Sequence, residues 1–164
     1  PESATKVGNG CFLMGFSHCA HNVTLGEKVV LANGVLLGGY AEVGDGAFLG
    51  GNAGVHQFVR IGRLSMLGGA CAVSKDVLPF MTVRSSQLNV LAGLNNIGLQ
   101  RGGITIEERR DIKRTYTLLF KSNLTVKEAI QKVRGDVKTQ IAEEICVFIE
   151  SSVRGFCRAS RGGK

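Results

Sequence analysis

Three histidines fall within the first sixty residues, and two of them, His18 and His21, bracket the tetrapeptide His18-Cys19-Ala20-His21. Histidine ionises closest to neutral pH, so a neutral imidazole can take a proton from a hydroxyl as that oxygen attacks an acyl carbonyl. Stepping forward by eighteen from His21 reaches Gly39, Gln57 and Lys75, and His56 lies in the adjacent column, thirty-six residues after Ala20. A backbone N–H at Gly39 suits an oxyanion, because glycine lets a substrate approach the main chain. No serine-nucleophile motif accompanies these residues, which favours direct transfer over a covalent acyl-enzyme. Zinc is the competing use of three histidines, as in a hydratase with an open water position. Their spacings of three and thirty-five residues are not the usual pattern, and a full set would need His56 from a neighbouring chain. The plainest alternative is ordinary surface histidines.

The spacing of eighteen comes from a stricter rule. Stepping by six from Val7 gives Leu13, Cys19, Leu25, Leu31, Leu37, Val43, Leu49, Val55, Ile61, Leu67 and Val73, all apolar. Two positions before each stands a small or β-branched residue, including Cys11, Ser17, Val23, Ala41, Ala53 and Cys71. Neither a helix nor an alternating strand has period six. A coil of three short strands does, with one inward side chain per hexad and eighteen residues per triangular turn. The predicted architecture is all-β followed by all-α: a left-handed parallel β-helix over residues 1–80, then a C-terminal helical bundle. The small column is expected at the corners, and Gly8, Gly26, Gly38, Gly44, Gly50, Gly62 and Gly68 are expected to supply backbone freedom at the bends. Coils stack about 4.8 Å apart, so His56 lies about 10 Å along the axis from Ala20 and does not reach His21 within one chain. Flat prism faces packed around a threefold axis can bring such groups together.

The hexads stop at Leu78-Pro79-Phe80. Residues 81–104 show neither period and read as a connector. Residues 105–155 read as helical: Thr105 with Glu108 and Thr125 with Glu128 have capping-box spacing, Gly135 stops the second helix, and Asp136 is placed to cap a third. Residues 156–164 read as a basic, disordered tail. At the other end the repeat phase is already running at Pro1 to Lys6, so the chain is expected to enter mid-prism, either as a fragment or with that end covered by another chain.

Composition is globular, with 44% apolar residues and no tryptophan, and no apolar run approaches the length of a membrane span. Five cysteines without metal-type spacing point to a reducing cytoplasm. Residues 101–164 hold fourteen basic and eight acidic side chains, against six and five before them. That excess fits either an acidic partner or solvated helix faces; aromatic interleaving and nucleic-acid motifs are absent, so nucleic acid is not expected.

Four segments in order resemble one family: Gly15-Phe16-Ser17-His18-Cys19-Ala20-His21-Asn22, Leu31-Ala32-Asn33, Gly54-Val55-His56-Gln57-Phe58 and Gly98-Leu99-Gln100-Arg101-Gly102-Gly103. They resemble the successive signatures of bacterial UDP-N-acetylglucosamine 3-O-acyltransferase, which begins lipid A synthesis, and the likeness extends through the helical tail. The resemblance implies a homotrimer with active sites between subunits, moving a 3-hydroxyacyl chain from acyl carrier protein to the sugar 3-hydroxyl without metal or organic cofactor. It further implies His21 as general base with His18 its companion, Gly39 as the amide facing the acyl carbonyl, and His56 and Gln57 in the substrate cleft. Asn95 and Arg101 would contact the nucleotide sugar. Gly69, with Met66 beside it, would set acyl length, and glycine there favours a longer chain.

The sequence departs from the family pattern at Asn22, where aspartate is usual, at Tyr40, where many members have histidine, and at Ile97, where many have glutamate. The first leaves the base without a charged neighbour, and the other two leave acylation of a 3-amino UDP-sugar open. The chain also lacks roughly the first hundred residues of the family, so a trimeric scaffold without turnover is a further alternative.

Overall fold

The computed structural model describes residues 3–84, 88–137 and 139–159. Its first half is a triangular prism of two-residue strands paired in parallel, each with the strand eighteen residues on. One face stacks Lys6–Val7, Thr24–Leu25, Glu42–Val43 and Arg60–Ile61. A second stacks Phe12–Leu13, Val30–Leu31, Phe48–Leu49 and Met66–Leu67, and the third His18–Cys19, Leu36–Leu37, Gly54–Val55 and Ala72–Val73.

Each hexad turns two side chains inward, not one. Val23 and Leu25 are 0% and 2% exposed, and the pairing repeats up the prism through Ala41 and Val43, Ala47 and Leu49, Val59 and Ile61. The small column is therefore core rather than corner, and small residues are needed there because each layer must fit two side chains per face. Burying a leucine or valine in such a stack contributes about 1.5–3 kcal/mol. Val7 and Leu13, in the first coil, continue the column but are exposed.

The bends also differ from expectation. Left-handed backbone falls on the second turn residue of each hexad, at Phe16, Asn22, Lys28, Tyr40, Asn52, Phe58, Leu64 and Ala70, with glycine only at Gly10, Gly34 and Gly46. The glycines after the apolar column serve close approach instead. A Cβ on Gly38 would lie 2.6 Å from the backbone nitrogen of Gln57 in the next coil, and one on Gly44 2.5 Å from that of Arg63.

Residues 78–83 close the prism. Leu78, Phe80 and Met81 are fully buried, and Met81–Val83 pairs in parallel with Met66–Leu67. Val90–Leu94 then runs antiparallel beside Met81–Val83, and Arg158–Ala159 pairs with Val90–Leu91 on its far side. The stretch read as connector thus holds two strands and, from Asn96 to Arg101, a short helix. The start of the basic tail is fixed by strand pairing and by Cys157, which is 0% exposed; residues 160–164 lie outside the described residues.

Four helices follow the sheet: α1 (Asn96–Arg101), α2 (Ile106–Phe120), α3 (Val126–Asp136) and α4 (Gln140–Glu150). Both expected capping boxes form, Thr105 with Glu108 and Thr125 with Glu128. Gly135 does not stop α3 and Asp136 caps nothing: it ends α3, where Arg114 at 2.9 Å and Lys132 at 3.4 Å offset a carboxylate at the negative end of the helix. The third predicted helix starts after Thr139, and its buried face is Ile141, Ala142, Ile145, Cys146 and Ile149. Among the described residues no helix is long and apolar enough to cross a membrane.

The caps make the bundle acid-sensitive. Hydrogen bonds from Thr105 and Thr125 hold Glu108 and Glu128 below the ordinary carboxylate range, and Arg134 does the same for Glu143 and Glu150. Arg114 lowers Asp136 likewise. Their contribution is complete above the unfolded values of about 4.3 and 3.9 and is lost as pH falls through the lower folded values. Glu144, raised by burial, works in the opposite sense. Helical circular dichroism is expected to fall steeply on acidification below about pH 4; a signal unchanged to about pH 3 contradicts it.

Candidate active site

His21 sits at the corner between the third face and the first, and three neighbours define its ring. Its Nδ1 pairs with Asn22 Oδ1 at 3.1 Å, and with Nδ1 as the donor a neutral ring carries its lone pair on Nε2. Beneath it lies Gly39, where a Cβ would stand 2.7 Å from both Cε1 and Nε2; only glycine leaves room for the imidazole. Tyr40 meets the ring edge-on at 5.2 Å between centroids, and Phe58 stacks on Tyr40 at 5.0 Å.

Among the described residues nothing accepts a hydrogen bond from the Gly39 N–H. Among the described residues the same turn position in other hexads, at Asn33, Gly51 and Gln57, is likewise free, so the free donor is a property of the hexad turn. Gly39 is singled out by the imidazole lying on it.

His18 and His56 both line a groove of about 590 Å³ along the third face, together with Leu36, Gly54 and Ala72. His56 Nδ1 donates to the backbone oxygen of Gln57 at 3.1 Å, and the Gln57 side chain is exposed. Beyond the His21 corner a second cleft, about 570 Å³, opens between Tyr40, Phe58, Arg60 and Arg154. Met66, Asn95 and Arg101 belong elsewhere, to a groove of about 740 Å³ at the edge joining the first and second faces. There Asn95 is 7% exposed with its side chain engaged: Oδ1 accepts from Gly98 N at 3.0 Å and Nδ2 donates to Leu64 O at 2.8 Å. It caps α1 and thereby places Arg101, the last residue of that helix, at the groove. Gly69 stands exposed at the remaining edge, after the second face.

The residues singled out in the sequence thus occupy three edges of one prism. His21, Asn22 and Gly39 come together, His18 and His56 share a neighbouring face, and Asn95, Arg101 and Met66 form a separate group. Among the described residues no three histidine, cysteine or acidic side chains converge as a metal site. Nor do the thiols of the helical part offer a nucleophile: burial pushes Cys157 up to about 12 and Cys146 up to about 11. Phe58 is not among the site residues expected from the hexads, although the eighteen-residue column Asn22, Tyr40, Phe58 places it beside Tyr40.

Residues 76–157 match the family model for UDP N-acetylglucosamine O-acyltransferase, domain 2. An acyl-[acyl-carrier-protein]--UDP-N-acetylglucosamine O-acyltransferase of Gloeothece citriformis is 37% identical over 151 residues, which cover 92% of this chain and 54% of the relative. Its counterpart in Alkalilimnicola ehrlichii is 39% identical over 162 residues, with 96% and 62% covered. The solved structure of a Francisella novicida UDP-N-acetylglucosamine acyltransferase superposes with a TM-score of 0.87 at 34% identity, covering 94% of this chain and 57% of that one. The chain therefore spans between half and two thirds of the length of these relatives. The likeness fixes the hand of the prism as the left-handed one expected from its hexads. Half of the sequence lies in the family's second domain and the prism below it shares the relatives' fold, so this chain belongs to the UDP-N-acetylglucosamine O-acyltransferase family.

Proposed function

We propose that the protein transfers a 3-hydroxyacyl chain from acyl carrier protein to the 3-hydroxyl of UDP-N-acetylglucosamine, the first step of lipid A synthesis, with His21 as general base. The observation that carries this reading is the His21 ring, exposed, laid on Gly39 and paired through Nδ1 with Asn22, which leaves Nε2 as the ring nitrogen turned to an incoming hydroxyl. Nε2 takes the hydroxyl proton as the sugar oxygen attacks the thioester carbonyl. The Gly39 N–H donates to the oxyanion, and as the tetrahedral centre collapses the imidazolium returns the proton to the departing thiolate. His18, His56, Gln57 and Arg101 position the substrates, and Asn95 acts through α1.

Three edges of a prism cannot meet in one chain. A homotrimer with sites between neighbours supplies the missing juxtaposition, bringing one subunit's His21 corner to another's Arg101 groove. The basic excess of the C-terminal third suits an acidic carrier protein. Acyl transfer from 3-hydroxyacyl-carrier protein to labelled UDP-N-acetylglucosamine tests the reaction, and a parallel arm with the 3-amino UDP-sugar tests the second acceptor. Ile97, 65% exposed at the Arg101 groove, favours keeping that arm. Product with neither acceptor overturns the reading.

Acyl length has its own test. A Cβ on Gly69 meets nothing closer than Gly51 O at 3.4 Å, so a side chain fits without disturbing the coil. Gly69→Met is expected to fold normally and to lower kcat/KM for long acyl chains by about tenfold or more relative to short ones. Equal losses for all chain lengths would remove Gly69 as the ruler.

A further inference from the structure

An exposed imidazole with one neutral hydrogen bond is poorly held. The χ2 torsion of histidine is broad and roughly two-fold, so rotating the ring exchanges the positions of its nitrogen and carbon atoms at small cost. Asn22 supplies a single bond at 3.1 Å, without charge. Gly39 supplies a floor that excludes ring positions below it but does not select between the two flips. A further restraint comes from Tyr40, whose ring stands at 86° to the imidazole. Tyr40 does not stand alone: Phe58, one coil on, lies nearly parallel to it at 12°. Backbone bonds tie the ladder together, because Tyr40 N donates to His21 O and Phe58 N donates to Gly39 O, each at 3.0 Å.

We propose that Tyr40, backed by Phe58, is a positioning residue that holds the His21 imidazole in the orientation in which Nδ1 meets Asn22 and Nε2 faces the acceptor. The inference rests on His21 acting as the base. The ladder works by packing: tilting the imidazole out of its plane breaks the edge contact, Tyr40 cannot follow because Phe58 blocks it, and within that fixed plane the Asn22 bond selects the flip. Ring contacts of this kind shift such an equilibrium by about two- to tenfold.

The nitrogen spectrum of the histidines tests this without turnover. In ¹⁵N-labelled chain, with His21 assigned by its loss in His21→Ala, the wild type is expected to show one tautomer, protonated on Nδ1. Tyr40→Phe keeps it. Tyr40→Ala and Tyr40→Asn give averaged nitrogen shifts, and Phe58→Ala lies between. Neither replacement at Tyr40 strains the backbone: its φ of 58° is matched by 54° at Ala70 and 61° at Asn22. In acyl transfer, Tyr40→Ala lowers kcat about two- to tenfold at unchanged KM, and Tyr40→Phe restores it. A His21 spectrum unaltered in both Tyr40→Ala and Tyr40→Asn overturns the proposal, as does a raised KM at full kcat, which would make Tyr40 a substrate contact. Full activity in His21→Ala overturns the base assignment instead, whatever the Tyr40 spectra show.

Discussion

His21→Ala is expected to fold as the wild type and to lose acyl transfer by about a hundredfold or more. Its side chain is exposed and, among the described residues, hydrogen-bonded only to Asn22, so truncation removes no core contact and stability changes by no more than about 0.5 kcal/mol. The loss belongs in kcat, because proton removal is an interaction made in the transition state. Added imidazole should return part of the rate by diffusing into the space vacated over Gly39. Gly39→Ala approaches the same defect from below: its Cβ would press to 2.7 Å of Cε1 and Nε2, so the ring must leave Asn22 and Tyr40. It should resemble His21→Ala in direction while keeping every ligand-facing side chain. Transfer at full rate by His21→Ala would show that another group takes the proton, and the exposed histidines across the third face, His18 and His56, would be the next to replace.

The hexads made the prism readable because a period of six leaves one geometry, and a resemblance to known signatures directed attention to His21 and Gly39. Other features were illegible for physical reasons. Inward-facing Ala41 and Ala47 look in sequence like corner residues, since size alone does not show which way a side chain points. The glycines after the apolar column suggested free torsions, whereas Gly38 and Gly44 are fixed by the nearness of the next coil, a contact made eighteen residues away. Thr105 and Thr125 marked helix starts because a capping box is local. Asp136 misled because its partner, Arg114, lies twenty-two residues back on another helix. At the site, residue types were legible and their grouping was not: nothing local places Arg101 on a different edge from His21. The Tyr40–Phe58 ladder lay in a column of its own, and the hexad step of six hides a relation that only the step of eighteen displays.

The same long-range logic sets what holds the helical part to the prism, and the group on which it turns is Asp76. Its carboxylate is 1% exposed and accepts three hydrogen bonds, from Arg60 N at 2.9 Å, Arg60 Nε at 3.3 Å and Ser152 Oγ at 2.8 Å. The main chain doubles the link, since Asp76 N donates to Gly155 O and Cys157 N donates to Asp76 O. Arg60 carries the connection onward, donating to Ser151 Oγ and Phe148 O while its guanidinium lies 4.4 Å from the Phe148 ring centre. Asp76→Ala removes the anion and leaves Arg60, three-quarters buried, facing only neutral acceptors. Breaking a buried pair from one side costs about 3–5 kcal/mol, so the midpoint of urea unfolding should fall by that equivalent at unchanged slope. Replacing both partners, as Asp76→Ala with Arg60→Met, should recover part of the loss, because no charge is then left unpaired. A single mutant within about 0.5 kcal/mol of wild type would mean that the backbone bonds alone hold the joint. Preferential proteolysis after α4 in Asp76→Ala, with the prism intact, would place the loss at this seam rather than throughout the chain.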